Sequence, residues 1–216
     1  STCHVTKVKV PEDVRARQKK QRVPAPLNLR SIWQIMTGSR QFSALLIATF
    51  AYQWAVSIAS PLYNVYYVQR LDASEGWIGF RTTLASLASI LAYRFWPRLI
   101  DRWGDRAILI LTAPMMLFFP LGTGLARTLT PHLFIITWAR VFGAAVMLSR
   151  YSILLKSCPE DRRPTYIATY AILVNVAAFI APLVGVRLEG FIGINNVFFV
   201  SAALRLVSAL LYLRLP

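Results

Sequence analysis

The sequence predicts an all-α, polytopic membrane protein of six transmembrane helices, and three observations carry that expectation. Hydrophobic residues make up 56% of the 216 positions, and the mean hydropathy is +0.50. The apolar stretches recur at lengths near the roughly 20 residues with which an α-helix crosses about 30 Å of hydrocarbon. The connections between them are short and hold the charges and turn formers. Backbone groups in lipid must bond within their own segment, which selects helices. The alternating segments of about ten residues that build a membrane barrel do not occur in the sequence.

The first span covers residues 43–68 and ends at QRLDASEG; the second covers 77–97 and ends at RLIDRWGD. The third, 106–126, contains Pro114 and Pro120, both expected to kink it, and ends at RTLTP. The fourth, 132–155, carries Arg140 and ends at KSCPEDRRP. The fifth, 164–186, carries Asn175 and a further expected kink at Pro182, and ends at RLEGFIGI. The sixth, 194–213, carries Arg205. Two regions result: a basic tail over residues 1–41 and a six-helix domain over 42–216. The tail is polar and proline-containing, so it is expected to be disordered or to lie on anionic lipid. The missing initiator Met predicts a fragment or a processed product.

A formal net charge of +15 raises the possibility of a nucleic-acid partner, and the placement of the charge argues against it. Nine Lys and Arg lie in the tail, four around the second-to-third connection, four around the fourth-to-fifth and one at the C-terminus, eighteen in all. The opposite side holds four: Arg70, Arg81, Arg127 and Arg187. Such a bias over short loops follows the positive-inside rule and predicts that both termini are cytoplasmic. Cys3 and Cys158 then share the reducing side, which disfavours a disulfide. His4 and His132 fall on opposite sides, and no metal-site spacing is present. No cofactor is expected.

Polar residues inside spans carry the functional signal. Thr49, Gln53, Ser57, Ser60 and Asn64 recur at helical spacing, on one face of a continuous first helix. Lipid does not solvate amides, so Gln53 and Asn64 must face protein or water; Trp54 and Tyr63 stand beside them. The stripe therefore lines a cavity or, alternatively, makes interhelical packing and hydrogen bonds, which suits Ser57 and Ser60. Thr82, Ser86, Ser89 and Tyr93 repeat the pattern on the second span, where packing is the simpler expectation. An Arg near a helix centre costs roughly 2.5–3.5 kcal/mol on insertion scales. Arg140 is accordingly either a site for an anionic substrate group or a structural donor to carbonyls. Arg205, about eight residues from the cytoplasmic end of the last span, is expected to be structural or to snorkel.

The connection Pro97-Arg98-Leu99-Ile100-Asp101-Arg102-Trp103-Gly104-Asp105-Arg106 resembles the G-x-x-x-D-R-x-G-R-R hairpin of the major facilitator superfamily. Pro97 replaces the leading Gly, and Asp105 replaces one closing basic residue. LDASEGWIGF and SCPEDRRPTYIATY resemble family loops as well, and the likeness covers residues from about 28 to 216. It implies the C-terminal six-helix half of a transporter, built as two three-helix inverted repeats. It also implies alternating access around a midplane cavity, lined by the first span with Gln53, Trp54, Ser57 and Asn64, and by Arg140 and Asn175. Asp101, Arg102, Gly104 and Arg106 would form a cytoplasmic gating motif, with Asp101 as the charge that locks the closed face; the alternative is a solvated turn that only fixes topology. APLVG at Ala181–Gly185 partly resembles an antiporter signature, too loosely to assign antiport. No Asp, Glu or His lies well inside a span, so a proton carrier is expected in the other half.

The implied partners are a small-molecule substrate, membrane lipids, and an N-terminal six-helix half in the same chain or a second copy of this one. The alternatives are a half-size homodimeric transporter and a non-transporting membrane interaction protein. A membrane enzyme is disfavoured, since no catalytic cluster is visible.

Overall fold

Prolines, glycines and short polar turns divide the apolar sequence into eight helices among residues 39–215, which the computed structural model describes. These are α1 (Arg40–Ser57), α2 (Ser60–Leu71), α3 (Glu75–Trp103), α4 (Asp105–Met115), α5 (Phe118–Leu125), α6 (Leu129–Ser157), α7 (Arg163–Ile192) and α8 (Ile194–Leu213). A 3₁₀ turn, Glu160–Arg162, precedes α7, and no strand occurs among the described residues. The tail expected over residues 1–41 lies almost wholly outside the described residues. Ser39 caps α1 and Ser74 caps α3, each hydroxyl accepting a bond from the third residue on, which satisfies one orphan donor at each helix start.

The eight helices make six rods, matching the six expected spans. The first rod is α1 with α2 and the third is α4 with α5. Pro61 lacks the N–H that would bond the Ser57 carbonyl, and its ring fits only the first turn of a helix. The first rod therefore breaks at Ile58–Ala59, which corrects the expectation of one continuous helix. The third breaks at Met116–Leu117, between the two expected prolines. Pro182, by contrast, sits within an unbroken α7.

Five of the rods are long and apolar enough to cross a membrane. The remaining one, α3, has matching length, at 29 residues, or about 43 Å. Arg81, Arg94, Arg98, Asp101 and Arg102 make it more polar. Part of that polarity is satisfied internally: Thr82, Thr83, Ser86 and Ser89 each donate to the carbonyl four residues back. The chain is an integral membrane protein of all-α build.

The packing has an internal symmetry. α3 packs on α6 as α7 packs on α1; α4 and α5 pack on α6 as α8 packs on α1; α3 meets α4 as α7 meets α8. Exchanging the first three rods with the last three maps these neighbours onto one another. The turns agree as well: Gly104 has φ 83 and ψ 153, and Gly193 has φ 82 and ψ 156. Each donates its N–H at 2.8 Å to the carbonyl four residues back, Ile100 and Glu189 respectively. Positive φ is open to Gly at little cost, so both turns require it. Because three is odd, the second triplet of a spanning bundle enters from the opposite face, which makes the repeats inverted.

The core has three clusters. Phe42, Tyr52, Tyr166 and Tyr212 lie in the one near the start of α1; Ile58, Tyr63, Tyr67 and Phe198 in the one near the other end; Ala92, Trp96 and Ala145 in the one between α3 and α6. Gly185 permits the closest approach. A Cβ there would stand 1.7 Å from the Ile58 carbonyl oxygen, so α7 crosses the break in the first rod with backbone against backbone.

Candidate functional site

A cleft of about 510 Å³ opens among α1, α2, α3, α6, α8 and the break between α4 and α5. The first rod contributes Val56, Ser60, Tyr63 and Asn64, α3 contributes Arg81, Ser89 and Tyr93, and α6 contributes Ile136, Arg140, Gly143 and Met147. Met116 and Phe119 come from the broken third rod, and Arg205 from α8. Asn64 and Arg140 are exposed on this surface, and Arg140 makes no hydrogen bond or ion pair among the described residues. Tyr93 donates its hydroxyl to Met147 Sδ at 3.2 Å, bridging α3 and α6 across the cleft. Trp96 ties the same helices below it, donating to the Val141 carbonyl at 2.7 Å.

Arg205 is the deepest polar side chain here, 2% exposed. Its Nη1 donates to the Met116 carbonyl at 2.8 Å and its guanidinium lies 5.7 Å from the Phe119 ring. Pro120, four residues beyond Met116, has no N–H to offer that carbonyl. The arginine thus fills a vacancy created by the third rod's own proline, the structural role expected of it. Its Nε, like the Tyr63 hydroxyl, is buried without a partner among the described residues. Arg81 lies in the second turn of α3, inside the expected second span. Its guanidinium stands 4.5 Å from the Tyr67 ring centre and reaches the cleft.

The structure brings only part of the predicted cavity set together. Asn64 and Arg140 share the cleft. The stripe on the first rod is divided by its break: Thr49 and Ser57 are buried, and Gln53 donates to Ser57 Oγ at 3.0 Å. Trp54 is half-buried and packs on the core cluster near Ile58, and Asn175 is exposed on α7 away from the cleft. Thr82 and Ser86 face outward on α3, against the packing expected of them. His132 is fully buried, with Nδ1 2.9 Å from the Thr128 carbonyl and its ring edge-on to Tyr67 at 5.1 Å.

At the basic end of the bundle Asp101 and Arg102 are exposed, and Asp101 has no partner among the described residues. The buried acid is Asp105, 6% exposed, which pairs with Lys156 at the end of α6. Asp105 also occupies the first turn of α4, where the helix dipole favours an anion. Arg106 donates to the Leu213 carbonyl at 3.4 Å, bonding the last turn of α8. In the sequence Asp105 stands out only as a departure from the motif. Its partner lies 51 positions away, and no local pattern connects them. Cys158, just beyond α6, is buried, and that burial pushes its thiol above the ordinary range, against the opposing effect of Arg163.

Inverted three-helix repeats around a polar cleft, in a bundle with membrane-spanning length and hydropathy, define a class of polytopic membrane protein. Residues 45–216 match the family model of the Major Facilitator Superfamily, and the chain belongs to that family. It is similar to the multidrug resistance protein MdtG of Dickeya zeae (27% identity over 152 residues, 68% of this chain and 37% of that protein). MdtG of Citrobacter koseri is 26% identical over 179 residues, covering 81% of this chain and 44% of its own length. That of Salmonella paratyphi C is 24% identical over 177 residues, covering 80% and 43% respectively. The chain thus spans less than half the length of these relatives.

Proposed function

We propose that this chain forms one six-helix half of a secondary transporter that works by alternating access, and that the cleft is its share of the substrate path. The observation that carries the reading is the cleft itself, where Arg140 and Asn64 stand exposed in a membrane bundle. Polar groups at such depth are expensive in lipid and favourable only toward water, protein or ligand. The second half is either another part of the same polypeptide or a second copy. The relatives' name, multidrug resistance protein, favours amphipathic organic compounds as substrates, and the Met116, Met147 and Phe119 walls suit them. The eighteen-to-four charge bias favours an orientation with both termini cytoplasmic, in the plasma or inner membrane. On that side Asp105 and Lys156 are the lock, joining the third and fourth rods while the face is closed.

Flux of amphipathic aromatic compounds into proteoliposomes holding the complete native polypeptide tests this reading. Saturable flux of at least one compound is expected; flux equal to that of empty liposomes for neutral, cationic and anionic members alike would contradict it.

A further inference from the structure

Charge in the cleft is one-sided. Arg81, Arg140 and Arg205 reach it, and no Asp, Glu or His lines it among the described residues. Arg205 has one nitrogen committed to the Met116 carbonyl and another, Nε, buried and unpartnered among the described residues. Arg140 makes no hydrogen bond or ion pair among the described residues. A guanidinium with its planar fork free is the side chain best matched to two acceptor oxygens on one atom. In an environment drier than bulk water its field is less screened than on an open surface.

We propose that the cleft selects organic anions: compounds with one carboxylate, sulfonate or phosphonate group on an aromatic or aliphatic body. This proposal rests on reading the cleft as a substrate site. The anionic group lies against Arg140, with Asn64 able to donate to it from the first rod, and the guanidinium of Arg205 and the buried Tyr63 hydroxyl supply the deeper positive surface. The body packs on Met116, Met147 and Phe119, whose thioethers and ring accept varied shapes. Selectivity therefore resides in the sign of the charge and tolerance in the hydrocarbon. A lipophilic cation would meet three like charges and no counter-ion from this half.

Three probes with one ring system isolate the charge: 2-naphthalenesulfonate, 2-naphthylmethyl-trimethylammonium and 2-naphthalenemethanol. Equilibrium dialysis against the detergent-purified complete polypeptide is expected to show the sulfonate bound at least tenfold more tightly than the ammonium. Arg140→Gln should remove most of that preference, Arg140→Lys should retain part of it, and the alcohol should bind equally to all three proteins. Because Arg140 is exposed and makes no hydrogen bond or ion pair among the described residues, these substitutions remove no polar contact seen to hold the fold. Equal or tighter binding of the ammonium, or sulfonate binding indifferent to Arg140→Gln, overturns the proposal. Flux of the same probes separates the two readings. Sulfonate binding that depends on Arg140 without flux upholds the anion site and contradicts transport. Flux without charge preference in binding upholds transport and contradicts the anion site.

Discussion

Arg205 donates Nη1 to the carbonyl of Met116 at 2.8 Å, and that carbonyl is the one Pro120 leaves without a helical donor. A buried cation and a helix break on different rods are in this way one device. Met116 and Phe119, at the break, line the cleft, and the arginine satisfies the carbonyl the break exposes.

Arg205→Leu should therefore destabilise the bundle by about 1–3 kcal/mol, the cost of leaving a buried acceptor unmade. Pro120→Ala restores an N–H to the Met116 carbonyl, so the double variant should be more stable than Arg205→Leu alone. Thermal unfolding in detergent, followed by size-exclusion chromatography, checks this. Strictly additive losses would show that the two residues are independent.

Gly185→Ala should reduce the yield of folded protein sharply, because its Cβ would meet the Ile58 carbonyl at 1.7 Å and backbone cannot move aside as a side chain can. Overpacking of this kind costs about 1–3 kcal/mol or more. Gly190, with nothing within 4 Å of a new Cβ, is the control on the same helix. Gly190→Ala should be neutral or stabilise by roughly 0.5–1 kcal/mol.

If the gate lies where the buried acid lies, Asp105→Asn should change initial flux by about fivefold, equivalent to roughly 1 kcal/mol. Asp101→Asn should stay near the parent rate. Lys156→Met should match Asp105→Asn, and the double variant should be no worse than either single one. Loss of flux on Asp101→Asn with Asp105→Asn silent would return the role to Asp101.

The Cys158 thiol, pushed up by burial, should react slowly with a small alkylating reagent. A raised value means less thiolate at a given pH, so the rate should climb only at a pH above that which activates an exposed cysteine. Alkylation of a Cys3→Ser variant across a pH series, followed by mass spectrometry, measures it. A rate equal to that of a free peptide thiol would contradict the buried placement.

Six rods and their family resemblance were legible in the sequence because hydropathy and short loops report on lipid, a solvent uniform along the chain. The second and fifth spans, by contrast, stop six residues short of the ends of α3 and α7, where polar residues continue the helix. The last span, 194–213, coincides with α8 (Ile194–Leu213). Pro61 went unread because a proline in the first turn of a helix looks like one inside a continuous apolar run. The break it causes separates Ser60 and Asn64 from the buried Thr49 and Ser57. The Asp105–Lys156 pair and the turn of Arg81 into the cleft depend on packing between distant segments. Arg140 was legible as a candidate because a charge inside an apolar helix is an exception that composition alone exposes.

On the proposed mechanism the cleft opens alternately to the two faces of the membrane. The most direct test places a single cysteine at Asn64 in the complete polypeptide, with Cys3, Cys158 and every other cysteine of that polypeptide replaced by Ser, in sealed vesicles. An impermeant thiol reagent is then applied from one side or the other. Alternating access predicts labelling from both sides, with an exposed tail-side position such as Arg102→Cys labelled from one side only. Labelling of Asn64→Cys from a single side, or from neither, would rule out alternating access through this cleft.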